Sequence, residues 1–341
     1  MSITVDAQDV LGTKDFCRNF PKQPSPLLPR ESLFNHIQNI FSKASNIAYL
    51  EGNALSGKSE FLANYMRRNL LTSLGVFLSP GDIFFYSPEY VRLALSEQIY
   101  WIINKQPAKF DSVDPETFTR LLHQLQRKAR ANPITFVLDG LSDPNTAEHR
   151  LRDEILKLFP MNQGEFRFLI SGSPELLPSL NLDKYKYKTV PLMEIGVEEA
   201  TAYFLDNKNI TAKDVTDIRK ICGGSIGLIS TFKGSIETGA SVDELLQKKE
   251  NAATDLMEFE WSLIPADEVT HNILAYIAFS NRQLSLLQLS ELVELNCIEL
   301  LDKVKKCRVI ELAVESQLIS IRSNDQRSFL RKKLSHKESL I

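Results

Sequence analysis

The sequence is poor in the residues that build disulfide frameworks and zinc centres. Its 341 residues include four cysteines and five histidines. The cysteines lie far apart without a C-x-x-C pair, and no histidine stands at metal-ligand spacing from a cysteine or from another histidine. This pattern excludes a disulfide framework and a zinc site, and it predicts reduced thiols in a cytoplasmic protein.

The sequence also lacks signals for export or membrane insertion. No window approaches the ~20 apolar residues of a spanning helix. The start, MSITVDAQDVLGTKD, is acidic and polar, whereas a signal peptide is basic and then apolar. We therefore expect a cytoplasmic protein without a membrane partner. The net charge of −3 gives no overall attraction to nucleic acid, so any such contact needs a local patch.

One short stretch carries the strongest functional signal. The sequence NIAYLEGNALSGKS, residues 46–59, fits the phosphate-loop pattern G-x-x-x-x-G-K-[ST], between an apolar strand and a helix. Its glycines let backbone N–H groups turn toward an anion, Lys58 can reach the outer phosphates, and the Ser59 hydroxyl can bind Mg²⁺. We predict nucleotide contacts from the following residues: Gly52, Asn53, Ala54, Leu55, Ser56, Gly57, Lys58, Ser59 and Glu60.

A second apolar run, residues 134–138, ends in Asp139. As a strand, it delivers Asp139 to the carboxyl edge of the sheet, where ligands bind in open α/β folds. Because it follows a phosphate loop by about 80 residues, we predict that Asp139 holds Mg²⁺ together with Ser59. Asp143 has two interpretations, a group that activates water and the N-cap of the next helix.

The pattern along the chain predicts several domains. Strands alternate with helices in the first half, which indicates βαβ units and a parallel sheet. Helices dominate from residue 196, and three further helices followed by two short strands are typical of a winged helix. We predict an N-terminal arm or linker (1–25), an α/β P-loop domain with a parallel sheet flanked by helices (26–195), an all-helical lid (196–255), a winged helix (256–335) and a tail (336–341).

The order of these parts resembles the STAND class of P-loop NTPases, which includes the NACHT and NB-ARC modules of innate-immune and bacterial antiphage proteins. The resemblance covers roughly residues 27–335. It depends on these segments: LPRE (28–31), LEGNALSGKS (50–59), VLDGLSD (137–143), FLISGSPE (168–175), VPLMEIGVEEATAYF (190–204) and CGGSIGLIS (222–230). It implies that Arg30, in the first segment, packs near the adenine.

Three positions depart from the pattern of that class. Ser142 replaces an acidic residue, Ser173 replaces the sensor arginine, and Ile226 replaces a proline. The resemblance therefore implies ATP and ADP binding with slow hydrolysis. It further implies a conformational switch that self-associates on ATP binding, in antiphage defence or signalling. The effector and sensor are then separate polypeptides or parts of a longer chain. ATP is favoured over GTP, since Asn207-Lys208 is not followed by the aspartate of a guanine-reading motif.

Two alternatives stay open. DNA-associated ATPases of the origin-recognition or archaeal kind join the same three domains, and they need a basic recognition helix. Lysines and an arginine give the third helix positive charge, at Lys303, Lys305, Lys306 and Arg308. Nearby carboxylates cancel much of that field, so a solvated helix face is favoured over a DNA contact. The second alternative is a protein that binds nucleotide and never hydrolyses it, consistent with Ser173.

Overall fold

The computed structural model describes residues 28, 30–43, 45–52, 56–78, 86–108, 110–141, 149–192, 194–204, 210–237, 240–251, 256–280, 284–307, 309–313, 318–321, 324–335 and 337. The predicted arm (1–25) lies outside these residues. The chain divides into two compact units, 1–193 and 194–341.

The first unit is built on a five-stranded sheet. Its strands are β1 (Ile47–Glu51), β2 (Ser73–Phe77), β3 (Ile134–Asp139), β4 (Phe166–Gly172) and β5 (Tyr187–Pro191). Their order in space is β2-β3-β4-β1-β5, and every pair is parallel. The prediction of a parallel α/β sheet is confirmed. Because β4 lies between β1 and β3, the carboxyl ends of these three strands meet at one edge.

The central strands are buried on both faces, which explains why they read as continuous apolar runs. Successive side chains point to opposite faces of a strand. In β1, Tyr49 joins a core layer with Phe136 and Phe168, whose rings stack 5.4 Å apart. Its neighbours Ala48 and Leu50 join the layer on the other face. The sheet therefore holds two separate apolar layers in place.

Helices cover both faces of this sheet. They are α1 (Glu31–Ser42), α2 (Lys58–Arg68), α3 (Pro88–Asn104), α4 (Pro115–Ala129) and α5 (His149–Lys157), with two 3₁₀ turns (Leu177–Leu180 and Leu182–Lys184). Helices α1 and α2 contribute to the layer that contains Leu50, whereas α3, α4 and α5 contribute to the layer that contains Tyr49. This three-layer arrangement is the standard way to bury both faces of a parallel sheet.

Strand β2 forms one edge of the sheet, and the side chain of Gln98 covers part of that edge. The Gly75 amide donates to Gln98 Oε1 at 2.9 Å, and Gln98 Nε2 donates to the Gly75 carbonyl at 2.9 Å. The carboxamide thus pairs with the strand as a neighbouring peptide would. A Cβ on Gly75 would lie 2.4 Å from the Val137 carbonyl oxygen, so only glycine fits between the edge and β3.

The second unit contains helices and a small antiparallel sheet. Its helices are α6 (Val197–Phe204), α7 (Ala212–Ile221), α8 (Ile226–Glu237), α9 (Val242–Asn251), α10 (Leu256–Leu263), α11 (Glu268–Phe279), α12 (Leu286–Leu292), α13 (Cys297–Lys306) and α14 (Asn324–Lys333). Its strands are β6 (Leu284–Ser285), β7 (Ile310–Ala313) and β8 (Leu318–Ile321), in the order β6-β8-β7. No helix among the described residues of either unit is long and apolar enough to cross a membrane.

A buried carboxylate links three helices of the second unit. Glu260 of α10 is only 2% exposed. It accepts a hydrogen bond from the Thr231 hydroxyl of α8 at 2.9 Å and another from the Gln326 amide of α14. Phe232 and Phe259 stack beside it, with ring centroids 5.1 Å apart. Since a buried carboxylate needs such partners, α8, α10 and α14 are held together at this point.

A second polar contact fixes the start of α11. Asp267 accepts hydrogen bonds from the amide and hydroxyl of Thr270 and from Lys303 Nζ, the last at 2.9 Å. Burial opposes ionisation of Asp267, but these donors outweigh it, so the pKa of this carboxyl lies well below its usual range. Lys303, one of the basic residues considered for a DNA contact, is therefore bound to the carboxylate that caps α11. Arg308, another of them, lies outside the described residues.

Candidate functional site

The loop after β1 is anchored at both of its ends. At the first end, the Gly52 amide donates to the Gly172 carbonyl of β4 at 3.1 Å. At the other end, Gly57 adopts the left-handed conformation with φ of 93°, which favours glycine, and it occupies the N-cap position of α2. Residues 53–55 between these ends lie outside the described residues. Helix α2 therefore begins directly after Gly57.

The N-terminus of α2 differs from those of α3 and α4. Ser87 and Asp114 accept hydrogen bonds from backbone amides and cap those two helices. Gly57, the N-cap residue of α2, has no side chain that could do so. The first N–H groups of a helix have no partner within it, and the helix dipole makes this end attractive to anions. The uncapped end lies where the sequence predicts the phosphates.

Lys58 folds back over the loop. Its Nζ donates to the Gly52 carbonyl at 2.8 Å and lies 3.5 Å from the Ser56 hydroxyl. These contacts bring the ammonium group from the first turn of α2 to both ends of the loop. A Cβ on Gly52 would lie 2.8 Å from Ser56 Oγ, so a side chain there would require the serine hydroxyl to rotate away. The structure thus brings together Gly52, Ser56, Gly57 and Lys58.

Arg30 lies close enough to the same helix to act on its charges. It is buried, adopts the left-handed conformation with φ of 48°, and precedes α1. Burial raises the pKa of Glu60, in the first turn of α2, and the charges of Arg30 and Arg67 partly oppose this. Glu60 is therefore half-buried beside two cations. Ser59, its neighbour, is exposed on the first turn.

Asp139 lies at the carboxyl end of β3 and is buried. Its Oδ1 accepts a hydrogen bond from the hydroxyl of Ser171, which is buried near the end of β4. Its backbone carbonyl accepts from the Leu78 amide at 2.9 Å, so the pairing with the β2 segment continues to the strand end. Strand β4 lies between β3 and β1, so Ser171 lies between Asp139 and the loop that follows β1. The axes of β3 and β1 are two strand spacings apart, about 10 Å.

Sequence reasoning missed Ser171, Tyr49 and Gly172. The Tyr49 hydroxyl of β1 donates to the Ser173 carbonyl at 2.6 Å. A Cβ on Gly172 would lie 2.2 Å from that hydroxyl, which explains the glycine. The backbone at the predicted sensor position is thus fixed by β1. The signal available in the sequence was a single polar residue, Ser171, at the end of the apolar run that forms β4.

Asp143, the predicted water-activating residue, lies outside the described residues, as do Asn53, Ala54 and Leu55. The other predicted residues occupy the carboxyl edge of the sheet or the first turn of α2, except Arg30, which precedes α1.

The residues present fit a nucleotide phosphate chain with Mg²⁺. The uncapped start of α2 offers amide donors, and Lys58 offers a positive charge at the same place. Ser59 and Asp139 offer the oxygen atoms that Mg²⁺ prefers. Ser171 holds one oxygen of Asp139, and no described residue donates a hydrogen bond to the other. One carboxylate suffices, because Mg²⁺ in such sites keeps several waters and binds the phosphates.

The strand order and the loop at the end of β1 define the class: the first unit has the α/β fold of P-loop NTPases. The chain is similar to the Walker-type ATPase of Pyrococcus abyssi, with 14% identity and a TM-score of 0.50. The match covers 93% of this chain and 99% of that protein. At this identity the likeness shows the fold alone.

The chain is also similar to a STAND protein with a tetratricopeptide repeat sensor from Pyrococcus horikoshii, with 13% identity and a TM-score of 0.49. This match covers 92% of this chain and 44% of that protein, so the chain spans less than half the length of this relative. No protein-family model and no curated protein matches the sequence.

Proposed function

We propose that this chain binds ATP and ADP with Mg²⁺ at the loop after β1 and acts as a slowly hydrolysing, nucleotide-dependent switch. The observation that carries the proposal is the position of Lys58. Its side chain extends from the first turn of α2, and its ammonium group binds the Gly52 carbonyl at the start of the loop. Asp139 lies at the same edge of the sheet. Together these residues offer cationic, amide and carboxylate groups at the carboxyl edge of the sheet.

Each residue then has a defined role. Lys58 and the first amides of α2 bind the outer phosphates, and Ser59 and Asp139 hold Mg²⁺. Bound Mg²⁺ neutralises the charge of the phosphates. Ser171 keeps one carboxylate oxygen of Asp139 engaged, which leaves the other to face the metal. Arg30 contributes positive charge near the first turn of α2.

Slow hydrolysis is supported by the end of β4. The residue at the predicted sensor position is Ser173 and not arginine. Its backbone is held by the Tyr49 hydroxyl at 2.6 Å. A serine there offers no positive charge for a transition state that spreads negative charge over the phosphoryl oxygens. Asp143 is the proposed group that orients the attacking water.

We assign the second unit to the helical lid (196–255) and winged helix (256–335) of a STAND module of the NACHT or NB-ARC kind. One contact lies at the start of the proposed lid, and another links the lid to the winged helix. The Gly224 carbonyl accepts from the Ile195 amide at 3.0 Å, so the turn before α8 packs on the entry to the unit. Glu260 joins α8 of the lid to α14. Such a lid would have a closed and an open arrangement. A nucleotide that binds one arrangement more tightly than the other would shift the equilibrium between them.

In this proposal, ADP holds a closed monomer and ATP promotes self-association, and a separate effector or sensor polypeptide completes the system in antiphage defence or signalling. Denatured preparations of the purified protein are expected to release ADP, identified by ion-exchange chromatography. Exchange for a non-hydrolysable ATP analogue should then increase the sedimentation coefficient. An empty protein that binds ATP weakly and turns it over rapidly would contradict the switch and favour a DNA-linked ATPase.

The role of Asp139 is tested by Asp139→Asn. Loss of the carboxylate charge should remove most of the gain in ATP affinity that Mg²⁺ provides, on the order of tenfold to a hundredfold. Affinity in EDTA should change little, because the contacts of Lys58 remain. Titration calorimetry with and without Mg²⁺ measures both values.

Asp111→Asn, an exposed carboxylate of the same unit, serves as the matched control and should match the wild type. An equal loss for Asp139→Asn in EDTA would count against the metal role.

A further inference from the structure

The second unit exposes aliphatic side chains where no fold requirement calls for them. Leu287 and Leu292 of α12 are 59% and 46% exposed, and Ile298 of α13 is 77% exposed. Only two other large hydrophobic residues of the described chain are as exposed, Leu71 and Val197. The packing of α12 and α13 is supplied by other residues, which are buried: Leu289, Leu300 and Val304.

Carboxylates accompany these aliphatic groups. Glu291, Glu294, Glu299 and Asp302 are exposed, and none forms an ion pair with a residue that the structure describes. Residues 284–302 contain no lysine, arginine or histidine. Positions four apart lie on one face of a helix. Leu287 therefore has Glu291 one turn on, and Ile298 has Asp302 one turn on, so both helices repeat the same apolar–acidic pair.

The turn between the two helices is itself strained. Glu294 adopts the left-handed conformation with φ of 54°. Glycine or asparagine would adopt it more easily, so folding alone gives no reason for glutamate there. The caps of both helices are supplied separately by Ser285 and Asn296. The exposed aliphatic groups and the carboxylates thus contribute neither to the caps nor to the buried packing of these two helices.

This surface is a poor match for DNA. Glu291 and Glu294 have no lysine or arginine within one turn along the chain, whereas Lys303 and Lys306 follow Glu299 and Asp302 by one turn. Carboxylates without a cation one turn away repel a phosphate backbone. Lys303, the first lysine of α13, is bound to Asp267 at 2.9 Å. The remaining lysines, Lys305 and Lys306, lie at the far end of the helix, where they complement its dipole.

We propose that the surface formed by Leu287, Glu291, Leu292, Glu294, Ile298, Glu299 and Asp302, the acidic face, binds a basic amphipathic helix of a separate polypeptide. The apolar side of such a helix covers the three aliphatic groups, and its lysines and arginines pair with the carboxylates one turn away. The interaction goes beyond nucleotide binding and does not depend on it. It identifies the chemistry of the partner that the second unit can recognise.

The test uses a displayed library of amphipathic helices about 18 residues long, long enough to form a helix on binding. Their apolar face is fixed as leucine, and every other position is randomised among basic, acidic and neutral polar residues. Selection against the full chain should enrich members with a net positive charge. Enriched peptides are then synthesised with a fluorescent label, and their affinity is measured by fluorescence anisotropy.

Ile298→Ser and the double variant Glu291→Lys, Glu299→Lys should each weaken the enriched peptides about tenfold or more. Leu71→Ser, at a leucine of the first unit that is 56% exposed, is the control variant and should leave affinity unchanged. Thermal unfolding followed by circular dichroism checks that each variant folds. The proposal is overturned by selection without a charge bias, by failure to enrich any member, or by affinity that Ile298→Ser leaves unchanged.

Two further outcomes would reassign the acidic face. Sedimentation in which Ile298→Ser converts a dimer to a monomer would make a second copy of this chain the occupant. Binding of a labelled DNA duplex that is lost in Lys305→Glu, Lys306→Glu, and is unaffected by Ile298→Ser, would make the helix a nucleic-acid contact.

Discussion

Replacing Lys58 with alanine is expected to lower the affinity for ATP on the order of a hundredfold, as expected for losing hydrogen bonds from a charged donor. Lys58 Nζ contacts the first glycine of the loop at 2.8 Å and lies 3.5 Å from Ser56, so its loss removes both the charge and a brace of the loop. The decrease should be similar with and without Mg²⁺, unlike that of Asp139→Asn. Titration calorimetry with ATP and ADP measures it.

Arg68→Ala is the matched control for this variant. Arg68 belongs to the same helix and is also a cation, but it lies in the last turn and pairs with Glu31 at 2.7 Å. Its removal should leave nucleotide affinity unchanged. Wild-type affinity in Lys58→Ala would remove the basis for placing the phosphates at the loop.

The second large effect concerns stability. Gly140→Ala is expected to destabilise the first unit by about 3 kcal/mol or more, the sum of left-handed strain and of overpacking. Gly140 has φ of 78°, and an added Cβ would lie 2.1 Å from the Leu78 carbonyl oxygen. The Leu78 amide is bound to the Asp139 carbonyl, which restrains the Leu78 backbone from moving away. Many domains have only 5–15 kcal/mol of stability to lose.

Gly223→Ala separates the two contributions. Gly223 also has a positive φ, 56°, but nothing lies within 4 Å of an added Cβ. The expected cost is about 1 kcal/mol from strain alone. The two tryptophans of the chain make the measurement specific, because Trp101 belongs to the first unit and Trp261 to the second. In a Trp261→Phe background, the fluorescence of Trp101 reports urea unfolding of the first unit. In a Trp101→Phe background, the fluorescence of Trp261 reports unfolding of the second unit. Equal costs for the two glycines would contradict the role of crowding.

The sequence predicts those parts of the molecule whose cause is local. Residues 47–50 and 134–138 are apolar runs long enough for buried strands, and both strands are present. The contact of Lys58 with the loop follows from a spacing of a few residues. These features depend on backbone geometry within one turn or one strand, so the motif alone is sufficient.

The missed contacts depend on the spatial order of the strands, which the chain order does not reveal. Ser171 meets Asp139 because β4 lies beside β3, and the two residues are 32 positions apart. Tyr49 and Ser173 are 124 positions apart. The pairing of Lys303 with Asp267 likewise joins residues 36 positions apart. The sequence shows the identity of these residues but not their partners.

Two helices of the second unit were missed for a different reason. In α10, the polar residue Glu260 faces the interior, which interrupts the apolar period that identifies a helix. Helix α14 is mostly polar. Helix α12 is short and ends at Leu292, and Glu294 just after it adopts a left-handed conformation. Polar contacts and backbone strain, which composition does not show, decide all three.

The pairing of Gln98 with Gly75 limits how the sheet can be extended. An incoming strand at β2 would have to displace a carboxamide that already occupies both backbone groups of Gly75. At the opposite end of the sheet, β5 carries the exposed Lys188, and a charge on an edge strand discourages edge-to-edge stacking. Gln98 thus prevents a strand of another molecule from pairing with β2 at Gly75. We expect assemblies of this protein to form through helices and loops, not through a shared sheet.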